Sequence, residues 1–392
     1  MENTKIKRTI SLLLALIMAV TLVFTGCGKK EPNEKVETKP QVAEEKKSKS
    51  SEATIVASGD MLYHMPVINA ARTCEGEYDF KSQFKEIKPI ISQADLAIGD
   101  FEGSIMPGKP LSGYPVFNAP TEVAEAAKYA GYDVITVAQN HILDQGLKGA
   151  IYTTEVFRNA GMDTIGFKVD PSEDDILIKD VNGIKVAIIG MSYGYNGKEK
   201  NITKADFDDH MEPLTKENAE RLIKKAEDLA DITVVMPHSG VEYSLKPSEK
   251  QEELYHNMVD WGADIIFGGH PHVPEPTEVI EKDGEKKFII YSMGNLISNQ
   301  RIETLDNKWT ERGVIMAVDI KKENGKTVIT GFKPYPTWVY RCSSNNGYSY
   351  TVLPCENYID GGKKVGTLDP ATEKRIKTAY KETMELLNIP IN

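Results

Sequence analysis

Three things are scarce in this chain, and each scarcity removes a class of explanation. Positive charge is outnumbered: 47 Lys and Arg stand against 58 Asp and Glu, a formal charge of −11. An acidic body has no electrostatic footing for non-specific binding to nucleic acid. Any anionic substrate must then be held by local charges, which bound metal would supply. Long apolar runs are also scarce. The one near the start covers residues 10–24, about 15 residues where a membrane-spanning helix needs roughly 20. Cysteine numbers only 4 in 392 residues. Three of them, Cys74, Cys342 and Cys355, lie in the body of the chain. Cys342 and Cys355 are close enough for a disulfide across a loop, and free buried thiols are the alternative. No internal repeat is visible.

What is present begins with Lys5, Lys7 and Arg8, followed by the apolar run and then Thr25-Gly26-Cys27. A positive end, a hydrophobic middle and a small-residue finish make residues 1–26 a secretory signal. Cys27 directly after the small pair resembles the lipidation site of a bacterial lipoprotein; ordinary secretion with Cys27 incidental is the alternative. Acyl chains contribute about 0.8 kcal/mol per buried methylene, so several on one Cys would hold the protein on the extracellular face of the cell membrane. Residues 27–52 turn to Lys, Glu, Ser, Pro and Gln, too poor in apolar side chains to fold, and read as a flexible tether. Removing residues 1–26 takes away a net +2 and leaves −13.

With 40% hydrophobic residues, the rest can bury a sizeable core. A folded domain is expected over residues 53–340, and a C-terminal extension over 341–392 closing with an amphipathic helix at 371–387. A strand that ends in a glycine and a polar residue is the recurring theme. Helices are expected over 87–93, 121–129, 149–159, 216–229 and 248–261, and Asn182-Gly183 between two apolar runs signals a hairpin. Helices alternate with strands early and antiparallel-looking strands dominate late. The expected class is therefore α/β (α+β), with mixed sheets and helices outside.

The chemistry gathers at strand ends. Ile265-Ile266-Phe267 stops at Gly268-Gly269 and releases His270-Pro271-His272. Two imidazoles one residue apart on extended backbone are expected to point the same way and to grip metal. The strand before Gln139-Asn140-His141 has the same build, with Asp144 three residues on. Asp60, Glu102 and His238 end three further strands. In open sheets such ends converge. A carboxylate can bridge two divalent cations, of which Mn, Fe and Zn suit amide and imidazole ligands, and water between them loses a proton near neutral pH. His141 is placed to protonate a leaving group, with Asp144 fixing its tautomer. His210 and His256 are expected on the surface.

Gly59-Asp60, Phe101-Glu102-Gly103, Asn140-His141 with Asp144, His238-Ser239-Gly240, Gly269-His270-Pro271-His272 and Tyr291-Ser292-Met293-Gly294-Asn295 together resemble the CapA-like poly-gamma-glutamate capsule biosynthesis proteins, a branch of the calcineurin-like metallophosphoesterases. That resemblance covers residues 54–338. It implies two packed β-sheets flanked by helices in a four-layer sandwich. It also implies metal ligands at Asp60, Glu102, Asn140, His238, His270 and His272, with Glu102 bridging two divalent cations and His141 catalytic. Asp100 competes with Glu102 for the bridge. The superfamily's first histidine position is Leu62 here, and His64 is either a substitute ligand or a solvated loop residue. The function implied is a metal-dependent hydrolase of capsule, poly-gamma-glutamate or envelope polymer metabolism, acting on an anionic polymer or phosphoester. The alternative is a non-catalytic polymer-binding or scaffold subunit of a polymer synthesis and export complex.

Overall fold

The computed structural model describes residues 50–74, 76–344, 347–364 and 366–389. Cys27, with the signal and the tether as far as residue 49, lies outside the described residues. Strand Ser50–Leu62 begins three residues before the expected start at 53, because Ser50, Ser51 and Glu52 pair with Glu323, Lys322 and Lys321 of the antiparallel neighbour Arg312–Glu323.

Two mixed sheets carry the domain. The first has eight strands, in the order Gly347–Pro354, Lys326–Ser344, Arg312–Glu323, Ser50–Leu62, Leu96–Glu102, Val134–Thr136 and Asp163–Ile165, with Asn295–Ile297 pairing beside the end of Ser50–Leu62. The second runs Thr277–Lys282, Glu285–Ile290, Ile265–Phe267, Ile232–His238, Ile184–Ser192, Leu177–Val181. The middle strands of both are parallel, and both faces of a parallel sheet must be covered. Neighbouring residues of one strand divide that task. Ile55, Ala57, Leu96 and Ile98 face Ile188, Val234, Ile265 and Phe267 of the second sheet in a shared apolar layer. Val56 and Ala97 instead turn outward onto helices Glu122–Ala130 and Gly146–Asn159. On the other side Ile189, Val235 and Ile266 pack on Lys216–Glu227 and Glu249–Trp261. The outcome is the four-layer sandwich expected: helices, sheet, sheet, helices.

Local chemistry explains the connections. Asn182 and Gly183 adopt φ of 55° and 84°, as a two-residue hairpin turn demands, and join Leu177–Val181 to Ile184–Ser192 with Val181 opposite Ile184. Helix Gly146–Asn159 starts three residues before the expected position, and the segment expected as a helix over 87–93 is helical only at Lys88–Ile91.

One expectation about the C-terminal part needs correction, and one alternative left open there is decided. The boundary at 340 cuts through a strand: Lys326–Ser344 runs antiparallel to Gly347–Pro354 as the edge of the first sheet. Helix Pro370–Leu387 then buries Ile376 and Ala379 against Trp338, Leu353 and Tyr358. Cys342 and Cys355 are free thiols, Cys355 being fully buried. Cys342 sits on Lys326–Ser344 beside Ser349, while Cys355 follows the edge strand Gly347–Pro354 at its far end, so no loop brings the two together.

Candidate metal centre

The strands of both sheets deliver their carboxyl ends to one place. Asp60 comes from the end of Ser50–Leu62, and Asp100 and Glu102 from Leu96–Glu102, two residues apart and so on one side of the strand. Asn140 and His141 follow Val134–Thr136, His238 ends Ile232–His238, and His270 and His272 follow Ile265–Phe267. All are buried. Among the described residues, two groups of three have ligand atoms within 4.8 Å of one another: Asp60, Asp100 and His238, and Glu102, His270 and His272.

The two carboxylates expected to compete are both present in the site. Asp100 Oδ2 meets His238 Nδ1 at 3.3 Å, and His238 Nε2 lies 3.0 Å from Asn140 Oδ1. Glu102 stands at the centre. Its Oε1 is 3.9 Å from both His141 Nε2 and His238 Nε2, and its Oε2 is 3.6 Å from His272 Nδ1. Neither oxygen has a hydrogen-bond partner, and the same holds for Asp100 Oδ1 and His270 Nδ1. A fully buried carboxylate without a hydrogen bond is costly, and among the described residues no Lys or Arg pairs with it. Its donor set of oxygens and imidazole nitrogens fits divalent cations. Gly269 gives a second sign of fit. A Cβ there would come within 2.8 Å of Asp100 Oδ2 and 2.9 Å of Asp60 Oδ1, so only glycine keeps the space between these carboxylates open.

The electrostatics follow from burial and crowding. Burial, reinforced by the neighbouring acids, pushes Asp100 up to about 7 and raises Glu102. Burial alone would lower His272, but Glu102 and Asp60 outweigh it and carry it to about 9, and His238 is raised in the same way by Asp100. His270, with other imidazoles nearby and no carboxylate bond, is driven down by burial. It stays neutral, as a ligand must.

The His270-Pro271-His272 turn departs from the extended geometry expected. His270 has φ of 98° and His272 of 59°, left-handed backbone that costs on the order of 1–3 kcal/mol per residue and concentrates at functional sites. The two rings are 5.9 Å apart and serve different neighbours: His270 lies 5.0 Å from His238, while His272 Nδ1 contacts Asp60 Oδ2 at 3.1 Å and Asn295 Oδ1 at 3.2 Å. The backbone is left-handed where extended geometry was expected, yet both imidazoles still reach Glu102, with ligand atoms of the three residues within 4.8 Å of one another.

His141 is held from behind. Its Nδ1 is 2.8 Å from Asp144 Oδ2, which also accepts the Phe117 N–H at 2.6 Å. Asn196 reaches the same ring at 3.4 Å and accepts from Asn140 Nδ2 at 3.4 Å. His64 joins neither ligand group. It is partly buried, burial holds it down at about 4, and its Nδ1 accepts the Asn299 N–H. His210 is buried rather than on the surface, with Nδ1 2.6 Å from the Lys168 carbonyl oxygen; His256 is half-exposed beside Glu278. Sequence reading passed over Asn196 and did not assign Asn295 a role. For Asn295 a signal existed, a Gly-Asn pair shortly after the apolar run Phe288-Ile289-Ile290; in the fold Asn295 opens the buried strand Asn295–Ile297. Its backbone pairs with that of Asp60, and Gly59 has no Cβ because one would fall 1.8 Å from the Gly294 oxygen.

Residues 54–300 match the family model described as bacterial capsule synthesis protein PGA_cap. The chain is 29% identical over 313 residues to the capsule biosynthesis protein CapA of Bacillus anthracis, across 76% of this chain and 71% of that protein. It is 30% identical over 224 residues to the PGA biosynthesis protein CapA of Bacillus subtilis (strain 168), across 56% of this chain and 57% of that one. Among solved structures, a phosphatase from Mycoplasma pneumoniae aligns at 16% identity with a TM-score of 0.43, over 74% of this chain and 94% of that chain. The calcineurin-like phosphoesterase YfkN from Bacillus subtilis aligns at 16% identity with a TM-score of 0.42, over 86% and 99%. Likeness at that level carries no argument about reaction or substrate.

Proposed function

The chain belongs to the bacterial capsule synthesis protein family, and from that premise we propose that it is a metal-dependent hydrolase of capsule or envelope polymer metabolism, working by phosphoester-type chemistry. The observation that carries this reading is Glu102, a fully buried carboxylate with both oxygens unpartnered, surrounded by imidazoles. Asp60, Asp100, Glu102, Asn140, His238, His270 and His272 would hold two divalent cations, Mn, Fe or Zn. When bound, these supply Lewis acidity toward a phosphoryl oxygen and lower the pKa of water.

The chain's own residues do the rest. Asp144 accepts from His141 Nδ1 and so presents Nε2 to the centre; the imidazolium, protonated on both nitrogens, would give its Nε2 proton to the leaving oxygen and become the neutral ring, its Nδ1–H still on Asp144. Phe117 keeps that carboxylate in place through its N–H and packs its ring edge-on against His141 at 4.7 Å. Asn196 steadies both Asn140 and His141 from the far side.

The proposed setting is the extracellular face of the cell membrane, with Cys27 lipidated, where an anionic polymer or phosphoester and a polymer synthesis and export complex are the partners. Among the described residues no helix is long and apolar enough to cross a membrane. The purified full chain is expected to contain about two equivalents of divalent metal and to hydrolyse p-nitrophenyl phosphate. His141→Ala and Asn140→Ala should each lower kcat by about 10²-fold or more. Metal-free protein, or inactivity together with tight polymer binding, would replace this reading with that of a polymer-binding subunit.

A further inference from the structure

Beside the centre lies a cavity of about 360 Å³, near the lower end of the roughly 300–1,000 Å³ usual for small-ligand sites. His141 and His272 form part of its wall, so whatever fills it lies against the reacting group. Among the described residues, none of those lining it is Lys or Arg. Arg341 stands behind Asn299, donating to its Oδ1 at 3.4 Å and lying 4.4 Å over the Tyr348 ring.

Two wall groups are fixed as donors. The Asn299 backbone N–H donates to His64 Nδ1 at 3.3 Å. The hydrogen of the neutral ring is therefore on Nε2, which donates and does not ligate. Asn299 Oδ1 accepts from Arg341 and from the Tyr350 hydroxyl at 2.6 Å. A guanidinium can only donate, so this end of the amide is the oxygen, and Nδ2 is the group left to offer. Glu242 supplies an acceptor.

Aromatic faces complete the wall. Gln300 accepts from Asn295 Nδ2 at 2.9 Å and donates to the Tyr243 hydroxyl at 3.3 Å, which fixes the Tyr243 ring 6.1 Å from His272. Tyr114, 77% exposed, stands at the same cavity. Ring faces carry negative charge and attract the slightly positive C–H groups that a sugar ring presents. Donors, one acceptor and ring faces complement vicinal hydroxyls. A pendant carboxylate would meet Glu242, and no Lys or Arg side chain stands on this wall to offset that repulsion.

We propose that this cavity seats the alcohol portion of a phosphoester whose alcohol is a neutral sugar or polyol, and that it disfavours alcohols bearing carboxylates. The proposal rests on the hydrolase reading for its chemistry, while the cavity's preference can be measured separately. His64 and Asn299 are then specificity-determining residues.

The test uses the metal-loaded full chain and a matched pair, glucose 6-phosphate and 6-phosphogluconate, which differ in a carboxylate, with p-nitrophenyl phosphate reporting the chemistry alone. Calorimetric binding of the same pair to chelator-treated protein gives a readout independent of turnover. The expected kcat/KM is about ten-fold or more higher for glucose 6-phosphate, and the binding preference has the same sign. Asn299→Ala and His64→Ala should lower that ratio, and Leu305→Lys, at the exposed rim, should shift it toward 6-phosphogluconate even if either of the others misfolds. Hydrolysis of p-nitrophenyl phosphate with equal or reversed preference overturns the sugar subsite and leaves the hydrolase standing. No hydrolysis of any ester, with preferential binding of glucose 6-phosphate, overturns the hydrolase and supports the subsite. Neither hydrolysis nor preference overturns both.

Discussion

Two buried acids in this fold are treated in opposite ways. Glu311, 1% exposed, accepts from Arg375 through both oxygens and has Arg301 at 3.5 Å. Glu102, equally buried, has among the described residues no Lys or Arg beside it, only imidazoles at 3.6–3.9 Å, and burial together with Asp60 works against its charge. The chain evidently contains the means to neutralise a buried carboxylate and uses them beneath helix Pro370–Leu387. Leaving Glu102, Asp100 and their imidazoles without such a partner marks the place where positive charge is to arrive from outside the chain.

The contrast can be tested by reversing it. Glu311→Gln should cost about 3 kcal/mol or more of stability, since Arg301 and Arg375 are left with an uncompensated pairing site; urea denaturation measures it. Next in size, a chelator should lower the Tm of the metal-loaded wild-type chain, since metal at 100 times its Kd stabilises by about 2.7 kcal/mol. Glu311→Gln should keep that response. Glu102→Gln should lose most of it, and the metal-free Glu102→Gln chain should be more stable than the metal-free wild type by on the order of 1 kcal/mol. Should both substitutions destabilise the metal-free chain alike, the two acids are not different in kind.

The smallest effect sharpens the Arg-rich side of the comparison. Burial would raise Glu303, but Arg375 and Arg301 outweigh it and hold it at about 2. A depressed carboxylate adds stability that is complete above its ordinary value near 4.5 and is lost as the pH falls toward about 2. Glu303→Gln should flatten the acid limb of the stability profile in that window by less than about 1 kcal/mol, because the group is partly solvated. An unchanged acid limb would show that these arginines are held by Glu311 alone.

Much of the architecture was legible because it rests on short-range rules. Strand-then-glycine segments marked where side chains emerge, and Asn182-Gly183 announced its hairpin. The carboxylates were readable as candidates but not as a set. Asp100 and Glu102 share one side of a strand, so choosing between them was a false choice that period-two spacing could have prevented. The backbone of His270 and His272 was illegible, since positive φ at a histidine is imposed by tertiary packing and has no propensity signal. The edge pair Lys326–Ser344 and Gly347–Pro354 was missed for another reason. Polar residues at 341–347 read as loop, although alternation of Tyr348, Tyr350 and Val352 on one side of Asn346-Gly347, and of Trp338, Tyr340 and Cys342 on the other, was a hairpin pattern.

The contact between His272 and Asp60 joins positions 212 residues apart. In kinetic terms such a contact forms late, because the chain between must be closed before the pairing is rewarded. Both sheets have to be built and docked before Asp60, Glu102 and His272 meet. Metal capture would therefore report on complete folding, and a chain stalled with either sheet unfinished would present no site to fill.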